Sequence, residues 1–338
     1  MNYKEELKQA NVYKENYVQG IRDLIDRKQK EAAEKRKEYF KDIFTDTKKY
    51  REDFKRLLGW PLTEARPTTP PDVKFTELSK EEGYTIYRAQ FKIFDELEMV
   101  GLLFKMDGDE AKPLVITQHG GQGTPESMSG IYGSTTNYND MLTRIIQYGT
   151  HAFAPMVLLW RDNYEVPYDR RAFDARLKRV GSSITAIEIY GIQRIMDYFE
   201  AQSYVSKFGM IGLSYGGFYT LFTSAIDERI ESSLSCSFFN TRDAYPWIDW
   251  TWFDFADKFD DAEIACLVYP RKLCIAIGDH DELFECKNGE NSFERVKEIC
   301  SEVGTEWVNF IVFDGKHEFI KDDAPIKKVI DDISVNNY

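Results

Sequence analysis

A serine bracketed by glycines, with histidines and carboxylates downstream, is the part of this sequence best suited to chemistry. Gly212-Leu213-Ser214-Tyr215-Gly216 follows the apolar run FGMIGL and precedes GFYTLFTSAI, which reads as a helix. By composition such a G-x-S-x-G arises on the order of 0.1 times in a chain of this length, so its flanks carry the reading. A strand ending in a sharp turn strains the serine backbone, and small neighbours let the helix pass close to the strand. The alternative is a glycine-rich phosphate-binding turn, but neither G-x-G-x-x-G nor a Walker-type Gly-Lys-Ser/Thr is present. A serine hydroxyl is a weak nucleophile until a base takes its proton. Two of the four histidines lie downstream: His280 in Gly278-Asp279-His280-Asp281, and His317 in FDGKHEF, after the run WVNFIVF. A base on a mobile loop after the last strand can swing over the serine, which selects His317 and leaves His280 in reserve. The group that orients the imidazole should be a carboxylate at the end of the preceding strand, where KLCIAIGDHDELF offers Asp279, Asp281 and Glu282. Asp281 falls just past the turn and can reach the His317 loop, whereas Asp279 serves the turn itself.

Acyl transfer also needs donors for the developing oxyanion, each worth about 3–4 kcal/mol when well placed. His119-Gly120-Gly121-Gln122-Gly123 follows the early run PLVITQ and can present the N–H of Gly121 or Gln122; the N–H of Tyr215, directly after the serine, is the second donor. Such a mechanism needs no metal and no organic cofactor.

These groups require a scaffold of strands ending at one edge. Residues 73–79, 84–94 and 98–106 mix aromatic and β-branched residues with polar alternation, as in an antiparallel meander. Short apolar runs follow at 113–118, 151–159, 208–213, 230–235, 272–278 and 307–313, with helical patterns at 182–200 and 291–303 among them. Strands alternating with helices predict an α/β chain with a mostly parallel, doubly wound sheet covered on both faces. The first 60 or so residues read as charged helices, with apolar residues at helical spacing (Ile21, Leu24, Ile25; Tyr39, Phe40, Ile43, Phe44; Phe54, Leu57, Leu58), ended by Gly59 and Pro61. The expected organisation is a helical extension over 1–60 packed on a catalytic domain over 61–338.

Between Cys236 and Phe259, nine of 24 residues are aromatic. Residues 236–260 read as a cap-like insert whose Trp247, Trp250 and Trp252, with Trp160 and His119, are candidates to contact substrate. A packing patch or a contact between copies of the chain, hence a homo-oligomer, is the other reading. The segment 158–179 carries five arginines (Arg161, Arg170, Arg171, Arg176, Arg179), expected to pair with the abundant carboxylates, with a carboxylate-bearing substrate as the alternative.

The 338 residues carry 44 Lys and Arg against 57 Asp and Glu, a net charge of -13, which argues against nucleic acid and acidic membrane surfaces as partners. The first 56 residues hold 16 basic and 12 acidic side chains, so the acid excess belongs to the remainder. Five cysteines without a C-x-x-C pair suggest neither a disulfide framework nor a zinc site, and with no signal-peptide pattern at the N-terminus the expectation is a cytoplasmic protein.

The motifs QHGGQG, GLSYGG, GDHDELF and DGKHEF, in this order from about Val73 onward, resemble those of the α/β-hydrolase superfamily, in particular its dienelactone-hydrolase-like and acetyl-xylan-esterase-like branch. Dienelactone hydrolases carry a cysteine where Ser214 stands. The acetyl xylan esterases have an R-G-Q loop and a G-x-S-Q-G elbow where this chain has His119-Gly120-Gly121 and Tyr215, while the His317-Glu318 pair matches. The resemblance implies a serine carboxylester hydrolase of small-molecule esters, acetylated carbohydrate first, with Ser214, Asp281 and His317 as triad. The rivals are a peptidase or lactone hydrolase of the same superfamily and a non-catalytic binding protein on the same fold. A propeller-bearing peptidase does not fit, because each blade takes roughly 40 residues and only about 100 precede the parallel strands.

Overall fold

A computed structural model describes residues 1–159 and 168–334. Nine strands form one sheet: β1 (Val73–Glu81), β2 (Tyr84–Phe94), β3 (Leu97–Met106), β4 (Lys112–Gln118), β5 (His151–Pro155), β6 (Val205–Leu213), β7 (Ile230–Cys236), β8 (Lys272–Gly278) and β9 (Val308–Phe313), in spatial order β1-β2-β3-β5-β4-β6-β7-β8-β9. The first three are antiparallel and β3 pairs antiparallel with β5; every pairing from β5 to β9 is parallel. The sheet is thus mostly parallel with antiparallel N-terminal strands.

The period-two alternation of side chains divides the core into two layers. On β4, Leu114 and Ile116 face one layer and Val115 the other; on β8, Ile275 and Ile277 oppose Cys274 and Ala276. One layer is covered by α2 (Thr47–Leu58), α6 (Ile184–Glu200), α7 (Tyr215–Ile226), α8 (Asp261–Cys266) and α9 (Cys286–Ile299), the other by α3 (Pro125–Met128), α4 (Met141–Ile146) and α10 (Ala324–Ser334). α5 (Arg170–Lys178) lies against residues 248–250. Every residue of α7 is buried, as expected of a helix that is apolar all round.

Two elements depart from the sequence pattern. The run 151–159 forms a strand only to Pro155: Met156 still donates to the Val100 carbonyl of β3, but Val157 donates to His119 Nε2 and Leu158 to a Glu188 carboxylate oxygen. The long first helix, α1 (Asn11–Tyr39), is not packed along its length. Residues 1–28 are exposed, with Ile21, Leu24 and Ile25 each at least 40% accessible, and contact with the body begins near Ala32. There Arg36 donates to the Ala256 carbonyl and lies near Asp260 and Glu263, while Phe40 and Ile43 enter the core. No helix among the described residues is long and apolar enough to cross a membrane.

Candidate active site

Strand order places the site. From β4 the chain moves to β5 on one side, then returns to lay β6 on the other, so loops leaving the carboxyl ends of β4 and β6 diverge and open a crevice. The glycine run 119–123 leaves β4 there, and Ser214 leaves β6. Ser214 has φ 59° and ψ -119°, a strained conformation for a residue with a side chain; its N–H donates to the Cys236 carbonyl (2.8 Å) and its carbonyl accepts from Phe218 at the start of α7 (2.9 Å). The flanking glycines permit this turn: a Cβ on Gly212 would overlap the Gly216 carbonyl, and one on Gly216 would overlap that of Gln118. Burial pushes the thiol of Cys236, which closes the adjacent β7, up to about 12, so its thiolate form is disfavoured.

His317 and Asp281 meet across the loops after β9 and β8. His317 Nδ1 lies 2.9 Å from Asp281 Oδ2 and 3.1 Å from Oδ1, and the Asp281 side chain is fully shielded from solvent. Asp281 Oδ1 also accepts the N–H groups of Leu283 and Phe284, both at 2.8 Å, which orients the carboxylate before His317 reaches it. Asp279 accepts from the Gly315 N–H (3.1 Å), and the His280 side chain is 70% exposed. The histidine loop, expected to swing, is instead pinned. Asn137 Nδ2 donates to the His317 carbonyl (3.1 Å), the Phe319 N–H to the Asn137 carbonyl (2.8 Å), and Ser237 Oγ to the Glu318 carbonyl (3.0 Å). Asn139 donates to the Glu318 carboxylate, and this bond, with that from Lys321, holds its carboxyl below the usual range. Thr136, Asn139, Asp140, Ser214 and Ser237 are five of the six non-glycine residues with positive φ among those described, so backbone strain concentrates here.

Ser214, Tyr215, Gly121, Gln122 and His317 line one cavity of about 890 Å³, together with Tyr138, Asn137, Trp247 and Arg171. Tyr138 Oη accepts the Gly120 N–H (2.8 Å), which fixes the glycine loop. Nothing in the sequence singled out Tyr138 or Asn137, because they act from an irregular segment on loops distant in the chain.

Three suggested substrate contacts are corrected. His119 is wholly buried and lies behind the glycine loop, with Nδ1 toward the Gly120 carbonyl (3.0 Å) and Nε2 accepting from Val157 (3.2 Å). Trp250 and Trp252 are 3% and 6% exposed and belong to the core: Trp250 stacks on Phe218, and Trp252 packs on Phe222 and Phe255. Their rings are the apolar filling that covers α7, which leaves Trp247, stacked on Tyr215, as the tryptophan of this segment that reaches the cavity. Trp160 and Arg161 lie outside the described residues. The insert has only short helical turns at Arg242–Ala244 and Ile248–Trp250. Of the arginines, Arg170 is buried against Glu188 and Asp249, Arg171 lines the cavity, and Arg176 and Arg179 are exposed. Asp279, His280 and Asp314 bring potential metal-ligand atoms within 4.8 Å of one another, but all three are exposed and none lines the cavity.

No family model and no curated protein matches the chain. Solved structures do. A candidate acetyl xylan esterase from Bacteroides fragilis aligns over 88% of this chain and 84% of its own, with TM-score 0.65 and 15% identity. A glucuronoyl esterase from Solibacter usitatus aligns over 84% and 93% (TM-score 0.61, 15% identity), and an acetyl xylan esterase from Paenibacillus sp. R4 over 84% and 94% (0.59, 16%). The fold is that of the α/β-hydrolases.

Proposed function

We propose that this chain is a serine carboxylester hydrolase acting on short acyl esters, acetylated carbohydrate first. The observation that carries the reading is the contact of His317 Nδ1 with a shielded Asp281 above the cavity into which the strained Ser214 turn opens. In this mechanism Ser214 Oγ attacks the ester carbonyl while His317 Nε2 takes its proton. Asp281, held by two backbone amides, keeps Nδ1 protonated and stabilises the imidazolium. The amides of Gly121 or Gln122 and of Tyr215 receive the oxyanion, the alcohol leaves with the proton from His317, and water repeats the sequence on the acyl-enzyme. The hydroxyl and amide groups of Ser134, Thr136, Asn137 and Gln122 beside Trp247 suit a sugar alcohol, and the names of the acetyl xylan esterase neighbours agree with an acetylated one. Hydrolysis of p-nitrophenyl acetate and of acetylated sugars by wild type, with a loss of at least about 10³-fold in Ser214→Ala, is the expected result. Equal rates in the two proteins, or none in either, would remove the proposal.

A further inference from the structure

Against Tyr215, the residue after Ser214, lies a second buried carboxylate, Asp249, that the mechanism above does not use. Arg170, the first residue of α5, is wholly buried. Its Nε donates to Asp249 Oδ2 (2.8 Å), its Nη1 to the Leu158 carbonyl (2.6 Å) and Glu188 Oε2 (2.9 Å), and its Nη2 to the Tyr219 hydroxyl (2.7 Å). One guanidinium thereby ties α5 to the segment after β5, to α6, to α7 and to the insert. Asp249 Oδ2 also accepts the hydroxyl proton of Tyr215 (2.9 Å). The Tyr215 ring stacks on Trp247 (centroids 5.9 Å apart, 10° between planes) and has the Arg170 guanidinium 5.6 Å from its centroid.

Such a network is a poor way to gain stability, since apolar side chains of the same volume commonly do as well in a core. It does fix geometry, because a planar guanidinium with each nitrogen bonded admits one arrangement of its acceptors. A phenylalanine at 215 would fill the same space between the tryptophans, so packing alone does not call for the hydroxyl. What the hydroxyl adds is a fixed rotation of the residue whose backbone N–H stands directly after the nucleophile.

We propose that Arg170 and Asp249 are positioning residues for the oxyanion site: Asp249, oriented by Arg170, holds the Tyr215 hydroxyl and so sets the direction of the Tyr215 amide. This rests on the ester-hydrolase reading for its catalytic consequence. It also gives the 236–260 segment, which supplies Asp249, a part in catalysis beyond walling the cavity.

Tyr215→Phe removes one hydrogen bond and keeps the ring and the amide. With p-nitrophenyl acetate, kcat is expected to fall about tenfold, short of the 10²–10³ lost when a donor is removed outright, with KM nearly unchanged. Affinity for a trifluoromethyl ketone, whose adduct with Ser214 carries an oxyanion, falls by the same factor. Hydrogen exchange of the peptide spanning residues 213–217 speeds up whether or not an ester is turned over. Adding Asp249→Ala to Tyr215→Phe costs less than Asp249→Ala alone, because both remove the one bond between Asp249 and the Tyr215 hydroxyl. A folded Tyr215→Phe protein with unchanged kcat, or with its loss confined to KM, overturns the proposal, and so does exchange identical to wild type. Faster exchange in a protein that hydrolyses no ester upholds the hold on the Tyr215 amide and contradicts the proposed function instead. If Tyr215→Phe does not fold, Asp249→Ala carries the same measurements.

Discussion

Asp281 and Asp249 are both buried carboxylates, one on His317 and the other on Tyr215, yet the first is oriented by its own loop and the second by distant elements. Asp281 takes two amides from residues two and three positions on, and only then His317. Asp249 takes Arg170, 79 residues away, and Tyr215, 34 residues away, and Arg170 in turn depends on α6 and α7. A carboxylate preset by its own loop can reorganise little when one partner is lost, so its failure should be chemical. A carboxylate held by an arginine that also braces three other elements should fail structurally as well.

The largest effect expected is on the first of the pair. Asp281→Asn keeps the shape and can accept the same amides, but presents a neutral amide to His317 and favours the wrong tautomer. On esters kcat should drop about 10⁴-fold while the thermal midpoint stays within a few degrees. A loss of similar size in stability would erase the distinction between the two carboxylates. Next comes Arg170→Ala, which strands Glu188 and Asp249 in the core. Burial already pushes the Glu188 carboxyl up, and removal of its arginine should cost about 3–5 kcal/mol in urea unfolding. A variant as stable as wild type would show that the two carboxylates do not depend on the arginine.

A smaller effect sharpens the contrast from outside the site. His151, which opens β5, accepts the Met106 N–H at Nδ1 (2.9 Å) and faces the Tyr204 carbonyl at Nε2 (3.1 Å), an arrangement that only the neutral ring satisfies. Burial pushes it down to about 4. The unfolded chain takes up this proton near pH 6.5 and the folded chain does not until about pH 4. Its contribution is therefore present above about pH 6.5 and lost progressively as the pH falls toward 4, by roughly 2–3 kcal/mol. Urea unfolding at pH 7 and 4.5 should show that slope, and His151→Gln should flatten it. An unchanged slope in the variant assigns acid sensitivity to other groups.

The same contrast separates what could be read in the sequence from what could not. Each strand was legible as an apolar run between turns, because alternation and turn residues act within a few positions; β5 ended early where Val157 and Leu158 found side-chain acceptors. The serine turn and the Asp281 loop were legible for the same local reason. The Arg170 network was not, since it joins residues from five elements, and neither was the way Asn137 and Tyr138 brace the histidine and glycine loops. Composition marked the 236–260 aromatics but could not say which side they face: Trp250 and Trp252 turn inward, Trp247 reaches the cavity, and Phe253 is 96% exposed. Helical spacing in α1 likewise showed an apolar stripe without showing that residues 1–28 overhang the body.

Labelling with a fluorophosphonate, followed by peptide mapping, tests the central claim most directly. The account predicts one adduct per chain, on Ser214, absent in Ser214→Ala and formed at least about a hundredfold more slowly in His317→Ala. Labelling that persists in Ser214→Ala, or wild-type protein that takes up no probe, would contradict it.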